Sequence, residues 1–176
     1  SLDTCATEYT HHPLHEAYSE LLHTYQKGTL APGSILAVKQ VGEEPWIGAK
    51  GYSNLAHKTA MTVCTPFRTG SVTKMYTAAL VLKLVENGIL GLDDKVSAHL
   101  PELQGKIPQV DDMRIRHLLN HSSGLSHPTD DNLAYQLGLI NKAEHFGGLT
   151  SRQRLQRYIY HQPLKHAPGT RTYYSN

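Results

Sequence analysis

The sequence predicts an α/β (α+β) fold in which helices and antiparallel strands come first and an all-helical region follows. An amphipathic helix over 14–27 precedes two β-rich segments at 34–41 and 46–52. A strongly apolar helix follows near 71–88, and no strand pattern occurs after about Leu90. These observations are typical of an α/β sandwich of which the chain holds only the first part.

Composition and charge exclude several classes of protein. The chain has 176 residues, 39% of them hydrophobic, and a formal net charge of +2. No apolar run reaches the roughly 18 residues that a membrane-spanning helix requires, so we predict no membrane span. The basic residues are scattered rather than clustered, and we therefore predict no nucleic-acid partner.

The first helix is predicted from its apolar side chains, which recur every three or four residues. They are Leu14, Ala17, Tyr18, Leu21, Leu22 and Tyr25. Gly28 ends this helix, and Pro32-Gly33 introduces the first strand. Residues 43–45 predict a turn, so the two strands are expected to form a hairpin. The polar stretch that follows contains one further candidate strand, near residues 61–63.

The chain is organised around residues 65–88, where a hydroxyl and an amine precede the apolar helix. Ser71 and Lys74 are three residues apart, which places both side chains on one face of the helix. A desolvated amine can accept the serine proton, and the helix N-terminus favours a developing oxyanion. Because this helix is apolar on nearly every side, we expect it to be buried. The pair alone is a weak signal, since serine is also a common helix N-cap.

The second half of the chain is predicted to consist of short helices. They are expected at 96–100, 113–120, 133–140 and 151–161. In the second of these, Ile115, Leu118 and Leu119 are expected to face inward. The polar turn at 121–124 contains a histidine beside two serines. Adjacent side chains rarely face each other, so we interpret this turn as structural.

Four ordered blocks of sequence carry a family resemblance. They are F-R-T-G-S-V-T-K at 67–74, L-G-L-D-D-K-V at 90–96, I-R-H-L-L-N-H-S-S-G-L at 115–125, and P-G at 168–169 with Y-S-N at 174–176. Together they resemble the serine β-lactamase and penicillin-binding protein superfamily, most closely its class C β-lactamase and D-alanyl-D-alanine carboxypeptidase branch. The resemblance implies a β-lactamase/transpeptidase-like fold, with an antiparallel sheet flanked by helices and an additional all-helical region.

The resemblance also implies roles for four residues. Ser71 matches the acylated nucleophile and Lys74 the lysine of the Ser-x-x-Lys motif, while Tyr174 and Asn176 match the Tyr-x-Asn motif. In the family the tyrosine shares proton transfer with the lysine, and the asparagine hydrogen-bonds both the lysine and the substrate amide. Ser71, Lys74 and Tyr174 are thus the candidate catalytic residues, and Asn176 and Ser71 are the candidate substrate contacts. Which of Lys74 and Tyr174 is the formal base stays open, and no cofactor is implied.

The implied function is that of a serine hydrolase that forms an acyl-enzyme on amide, ester or β-lactam carbonyls. The expected substrate is a small molecule or peptide, either D-Ala-D-Ala-like or a β-lactam, and the expected location is the periplasm or the extracellular space. An esterase or D-aminopeptidase of the same family is an alternative. A second alternative is a catalytically silent relative that binds peptidoglycan or peptides.

One family motif has no match in this sequence. The third motif, a Lys- or His-containing triplet that ends in glycine, does not follow Asn176. We therefore expect residues 1–68 to hold the first helix and N-terminal strands of the α/β domain. Residues 69–176 are expected to hold the nucleophile helix and the all-helical region up to the Tyr-x-Asn loop. The C-terminal half of the α/β domain is expected on a second chain, produced by cleavage, or in a segment removed by truncation.

Cysteine and histidine residues leave two further questions. Cys5 and Cys64 are compatible with a disulfide in an oxidising compartment or with two reduced thiols. His11, His12 and His15 are close together, and the first and last would share a helical face. A proline interrupts them and no cysteine or carboxylate completes a tetrahedral set nearby, so we predict no metal site.

Overall fold

The computed structural model describes residues 9–141 and 148–176, and the chain divides into two compact units, Ser1–Arg68 and Thr69–Asn176. The first unit contains helix α1 (His15–Lys27) and strands β1 (Gly33–Val38), β2 (Trp46–Asn54) and β3 (Thr59–Ala60). The second contains a 3₁₀ turn (Gly70–Val72) and helices α2 (Thr73–Glu86), α3 (Val96–His99), α4 (Ile115–Leu119), α5 (Pro128–Asp131), α6 (Leu133–Asn141) and α7 (Ser151–Tyr158), with two more 3₁₀ turns (Pro101–Leu103 and Val110–Asp112). The predicted order of a helix, a hairpin and then helices is confirmed within the described ranges.

The hairpin of the first unit has the predicted antiparallel pairing. β1 and β2 pair along their length, from Val38 opposite Trp46 to Gly33 opposite Gly51. The third strand differs from the prediction, because it lies at Thr59–Ala60 rather than near 61–63. β2 continues as far as Asn54, so a four-residue turn already returns the chain to the sheet at Thr59.

An indole ring organises the packing between α1 and the hairpin. Trp46 is 1% exposed and Leu22 of α1 is 4% exposed. The Trp46 Nε1–H donates a hydrogen bond of 3.1 Å to His15 Nδ1, and the Tyr18 ring lies 5.3 Å from the indole. Gly48 leaves the space for this ring, because a Cβ at this position would lie 2.4 Å from it. The amphipathic face of α1 therefore closes a small aromatic core.

The core of the second unit is built by its short elements. Its buried apolar residues are Val96, Leu103, Ile107, Val110, Met113 and Ile159. The backbone N–H of Val96 donates to the Met113 carbonyl at 2.9 Å, and an isolated bridge joins Lys95 to Arg114. These backbone contacts hold the start of α3 against the start of α4, which is the segment that leads to the polar turn at 121–124.

Helix α2 differs from the sequence-based expectation of a buried helix. None of its residues is buried, and Met75 and Leu80 are 72% and 68% exposed. Burial is partial and follows one stripe of the helix, Lys74, Ala78, Val81 and Val85. The prediction was wrong because an apolar residue count does not say which elements are present to cover each side. Leu118 of α4, predicted to face inward, is likewise 40% exposed.

Two remaining expectations concern the membrane and the cysteines. Within residues 9–141 and 148–176, no helix has both the length and the hydropathy that a bilayer span requires. The pairing of Cys5 with Cys64 stays a prediction, because Cys5 lies outside the described residues.

Candidate active site

The second unit carries all four residues predicted for the site. Ser71 is the middle residue of the 3₁₀ turn that precedes α2, and Lys74 is the second residue of the helix itself. Gly70, with φ of +55°, has the left-handed backbone that turns the chain into this helix. Tyr174 and Asn176 belong to the loop at the end of the sequence. The serine therefore lies in the 3₁₀ turn just before α2, and not in the first turn of the α-helix, where the sequence pattern predicts it.

These four side chains meet although about 100 residues separate the two motifs. The Ser71 and Tyr174 hydroxyl oxygens are 2.6 Å apart. The Lys74 amine donates to Ser71 Oγ at 3.5 Å and to Asn176 Oδ1 at 2.6 Å. The Tyr174 hydroxyl also lies 3.3 Å from Asn176 Oδ1. The sequence-predicted residues thus form one continuous hydrogen-bonded group.

The electrostatics of the group act mainly on the tyrosine. The pKa of Tyr174 is lowered because Lys74 and then Ser71 hydrogen-bond its oxygen, and the lysine charge adds to the effect. Partial burial acts in the opposite direction and is outweighed. The Lys74 amine also lies 4.9 Å from the centre of the Tyr174 ring. A phenol in this environment is ionised to a larger extent at a given pH than a free tyrosine, so more of it is available as a proton acceptor.

Two imidazole rings flank the phenol. The His121 ring centre lies 4.5 Å from that of Tyr174, and the His127 ring centre lies 5.4 Å away. His121 has φ of +59°, and the two serines that follow it are buried. The turn at 121–124 was interpreted as structural from the sequence, and its histidine nevertheless forms one wall of the site.

A second group of contacts, between the Tyr-x-Asn loop and the segment at 126–131, was not predicted. The Ser175 hydroxyl donates to the Ser126 carbonyl at 2.7 Å, and Asn176 Nδ2 lies 3.4 Å from Thr129 Oγ1. The Tyr173 hydroxyl donates to Asp131. These pairs are more than 40 residues apart and follow no periodic pattern. Only the extra tyrosine beside the motif was available as a hint.

A cavity of about 290 Å³ opens beside Lys74. It lies between α2 and α4 and is mostly apolar, lined among others by Ala78, Val81 and Leu119. Its polar rim includes His121 and Lys74. The half-buried stripe of α2 therefore borders the candidate site directly.

The histidines weighed as metal ligands have other partners. His12 Nδ1 accepts the Leu14 backbone N–H at 3.1 Å, and His15 Nδ1 accepts the Trp46 indole N–H. In the described part of the chain, no group of three or more His, Cys, Asp or Glu side chains has an arrangement that could hold a metal ion.

Comparison with known proteins shows the family to which the chain belongs. Residues 19–176 match the family described as Beta-lactamase. Protein flp of Staphylococcus aureus (strain N315) is 32% identical over 155 residues, which cover 88% of this chain and 29% of that protein. The chain thus spans less than a third of the length of this curated relative.

Two solved structures are similar over 92% of this chain. The D-alanine carboxypeptidase AmpC from Burkholderia cenocepacia is 25% identical, with a TM-score of 0.62 and 39% of its own chain covered. EstCE1, a hydrolase with promiscuous acyltransferase activity, is 26% identical, with a TM-score of 0.69 and 43% of its own chain covered. The chain belongs to the beta-lactamase family of serine hydrolases and holds a fragment of its fold, in which helices flank an antiparallel sheet.

Proposed function

We propose that the whole protein is a serine hydrolase in which Ser71 is acylated by an amide, ester or β-lactam carbonyl. The observation that carries this proposal is the 2.6 Å contact between the Ser71 and Tyr174 hydroxyls, with the Lys74 amine in reach of Ser71. A nucleophile beside a base that a third group orients is the general signature of activated serine nucleophiles. Asn176 Oδ1, which lies 3.3 Å from the Tyr174 hydroxyl and accepts from the Lys74 amine, supplies that orientation.

The proposed reaction begins with proton transfer from Ser71 Oγ to the ionised Tyr174 as Oγ forms a bond to the carbonyl carbon. The Lys74 ammonium stabilises the phenolate before the transfer, and the N–H groups at the start of α2 favour the oxyanion. Tyr174 then gives its proton to the leaving nitrogen or oxygen as the tetrahedral intermediate collapses. Water, or an acceptor amine, attacks the acyl-enzyme in the second half of the reaction.

We propose a D-Ala-D-Ala-like peptide or a β-lactam as the substrate class. Similarity to a D-alanine carboxypeptidase supports this choice. Similarity to a hydrolase with acyltransferase activity supports an ester substrate as the second candidate. A silent binding relative is disfavoured, because the four motif residues are present and in contact.

The proposal includes the cellular location of the protein and the part of the beta-lactamase fold that lies outside these 176 residues. A peptidoglycan-like substrate would place the protein in the periplasm or outside the cell. The chain spans 39–43% of the two solved structures above, which supports a further polypeptide segment, on this chain or on a second one, as the partner that completes the site.

The direct test is covalent labelling of the whole protein by a fluorescent penicillin and by a serine-directed fluorophosphonate, resolved on a denaturing gel. Ser71→Ala is expected to abolish the labelled band. Ser151→Ala is the matched control, since Ser151 is an exposed first residue of α7, and it is expected to label normally. Equal labelling of the Ser71→Ala protein would contradict the proposed nucleophile.

A further inference from the structure

We infer that Asp131, through Tyr173 and Lys165, is a positioning group that sets the Tyr174 hydroxyl against Ser71. The inference rests on the proposed function and adds to it a residue outside every motif that led to the site. Asp131 ends helix α5 and touches none of the four motif side chains described above. Its effect on the reaction therefore has to pass through the loop that carries Tyr174.

Three groups from different parts of the chain donate hydrogen bonds to the Asp131 carboxylate. The Tyr173 hydroxyl lies 2.9 and 3.0 Å from its two oxygens, and the Lys165 amine lies 2.8 Å from Oδ1. The backbone N–H of His127 donates to Oδ2 at 2.7 Å. Its side chain is 19% exposed, and both of its oxygens have hydrogen-bond donors. Such a charge-assisted cluster fixes geometry more firmly than a single neutral hydrogen bond.

Tyr173 and Tyr174 are adjacent but have different partners. Tyr173 binds Asp131, while the phenol of Tyr174 faces Ser71. The Tyr173 N–H donates to the His121 carbonyl at 2.8 Å, and the Ser175 hydroxyl donates to a carbonyl of the 126–131 segment. The backbone is thus tied on both sides of Tyr174. Loss of the Asp131 contact would leave Tyr173 held by its backbone N–H alone, with its side chain free to move.

The charge environment separates the two phenols in the same way. The pKa of Tyr173 is raised, mainly because its hydrogen bond to Asp131 favours the protonated form, so it remains a donor. The pKa of Tyr174 is lowered by Lys74, which favours the anion. Burial tends to raise the pKa of Asp131, but hydrogen bonds from Lys165, the His127 N–H and Tyr173 lower it overall. Asp131 is therefore ionised throughout the pH range in which Tyr174 is able to act as a base.

The test compares acylation rate constants of the whole protein and its variants across about pH 6 to pH 10, the range in which a perturbed tyrosine titrates. Tyr173→Phe removes one hydroxyl, and Asp131→Asn removes the charge. Asp112→Asn is the matched control, because Asp112 is an exposed carboxylate of the same unit, at the end of the 3₁₀ turn Val110–Asp112. The probe is a fluorescent penicillin, with an activated ester of N-acyl-D-alanine as the second acyl donor.

We expect Tyr173→Phe and Asp131→Asn each to lower the acylation rate constant about tenfold, since small displacements of a reacting group have large kinetic effects. The midpoint of the rising limb of the pH profile should also move to higher pH, because a displaced Tyr174 loses part of its contact with Lys74. The titratable neighbours of Tyr174, namely Lys74, His121 and His127, are the same in all variants. Asp112→Asn should change neither quantity.

Three outcomes would overturn the inference. The first is an acylation rate constant in Tyr173→Phe that equals that of the unsubstituted protein. The second is a lowered rate constant whose pH profile keeps its midpoint, because this result indicates partial unfolding only. If Asp131→Asn does not fold, Tyr173→Phe carries the test, and Asp131→Glu should restore part of the rate. An unsubstituted protein without an adduct on Ser71 refutes the proposed function and the inference together. An adduct that the variants form equally fast refutes only the inference.

Discussion

The Tyr174 hydroxyl lies 2.6 Å from Ser71 Oγ, whereas the Lys74 amine lies 3.5 Å from the same atom and only 2.6 Å from Asn176 Oδ1. The lysine is therefore bound more closely to the asparagine than to the serine. Within the proposed mechanism this favours Tyr174 as the group that takes the serine proton. Lys74 then acts by holding the charge of the phenolate, and Asn176 by holding the lysine.

Substitution of the tyrosine should remove most of the acylation activity. Tyr174→Phe deletes the proposed base, and we expect the acylation rate constant to fall by about 10²- to 10⁴-fold. Tyr76→Phe is the control, because Tyr76 is a 68% exposed residue of α2 that should leave the rate unchanged. Stopped-flow labelling with a fluorescent penicillin measures both. A fall of less than about threefold in Tyr174→Phe would contradict a base role on the scale of general-base effects.

Removal of the lysine charge should shift the pH dependence as well as the rate. Lys74→Met deletes the largest influence that lowers the pKa of Tyr174. The fraction of phenolate at a given pH should fall, so the rising limb of the pH–rate profile is expected at higher pH. Lys83→Met changes the same charge on an exposed face of α2, where Lys83 pairs with Glu86. The account is contradicted if both variants keep the midpoint of the unsubstituted protein.

The Asp131 cluster should also contribute to stability in a pH-dependent way. Because the folded pKa of Asp131 is lowered, its contribution is present above the usual aspartate pKa of about 3.9 and is lost as the pH falls through the folded value. Asp131→Asn is expected to lower the free energy of unfolding by about 1–2 kcal/mol near neutral pH. Urea melts near neutral pH and in acid measure the difference, which should shrink in acid. A constant difference across this range would argue against an ionised Asp131.

The first unit offers a test of packing that is independent of the reaction. Gly48→Ala would place a Cβ 2.4 Å from the Trp46 ring and force the indole or the strand to move. We expect a loss of about 1–3 kcal/mol in the free energy of unfolding, as for other overpacked sites. Gly28→Ala, where the nearest atom would be 3.6 Å from the new Cβ, is the control. Thermal melts followed by circular dichroism compare the two, and equal melting temperatures would show that the indole tolerates the extra carbon.

Local sequence signals predicted the elements and the motif side chains, for reasons visible in the structure. Periodic apolar residues mark α1 because one of its faces packs on Trp46. Ser71 and Tyr174 were found because the resemblance to a family ties together two motifs that no local rule connects. Their hydroxyls are in contact across about 100 residues, and their catalytic roles stay predictions.

Burial and side-chain networks were predicted less well. The exposure of α2 depends on which elements are present to cover it, and its apolar count carries no such information. Strand β3 is displaced because the length of β2 sets the turn. The Asp131 cluster joins a helix end to Tyr173 and Lys165 through side chains that have no characteristic spacing. Long-range polar contacts of this kind require the folded chain.

Acylation of Ser71 can be observed by a denaturing intact-mass measurement followed by peptide mapping. The whole protein is exposed briefly to benzylpenicillin or to the activated ester, quenched in acid and digested. We expect one added acyl mass, located on the peptide that contains Ser71 and absent in Ser71→Ala. An acyl mass on any other residue would contradict Ser71 as the nucleophile. So would turnover of either substrate by Ser71→Ala at an undiminished rate.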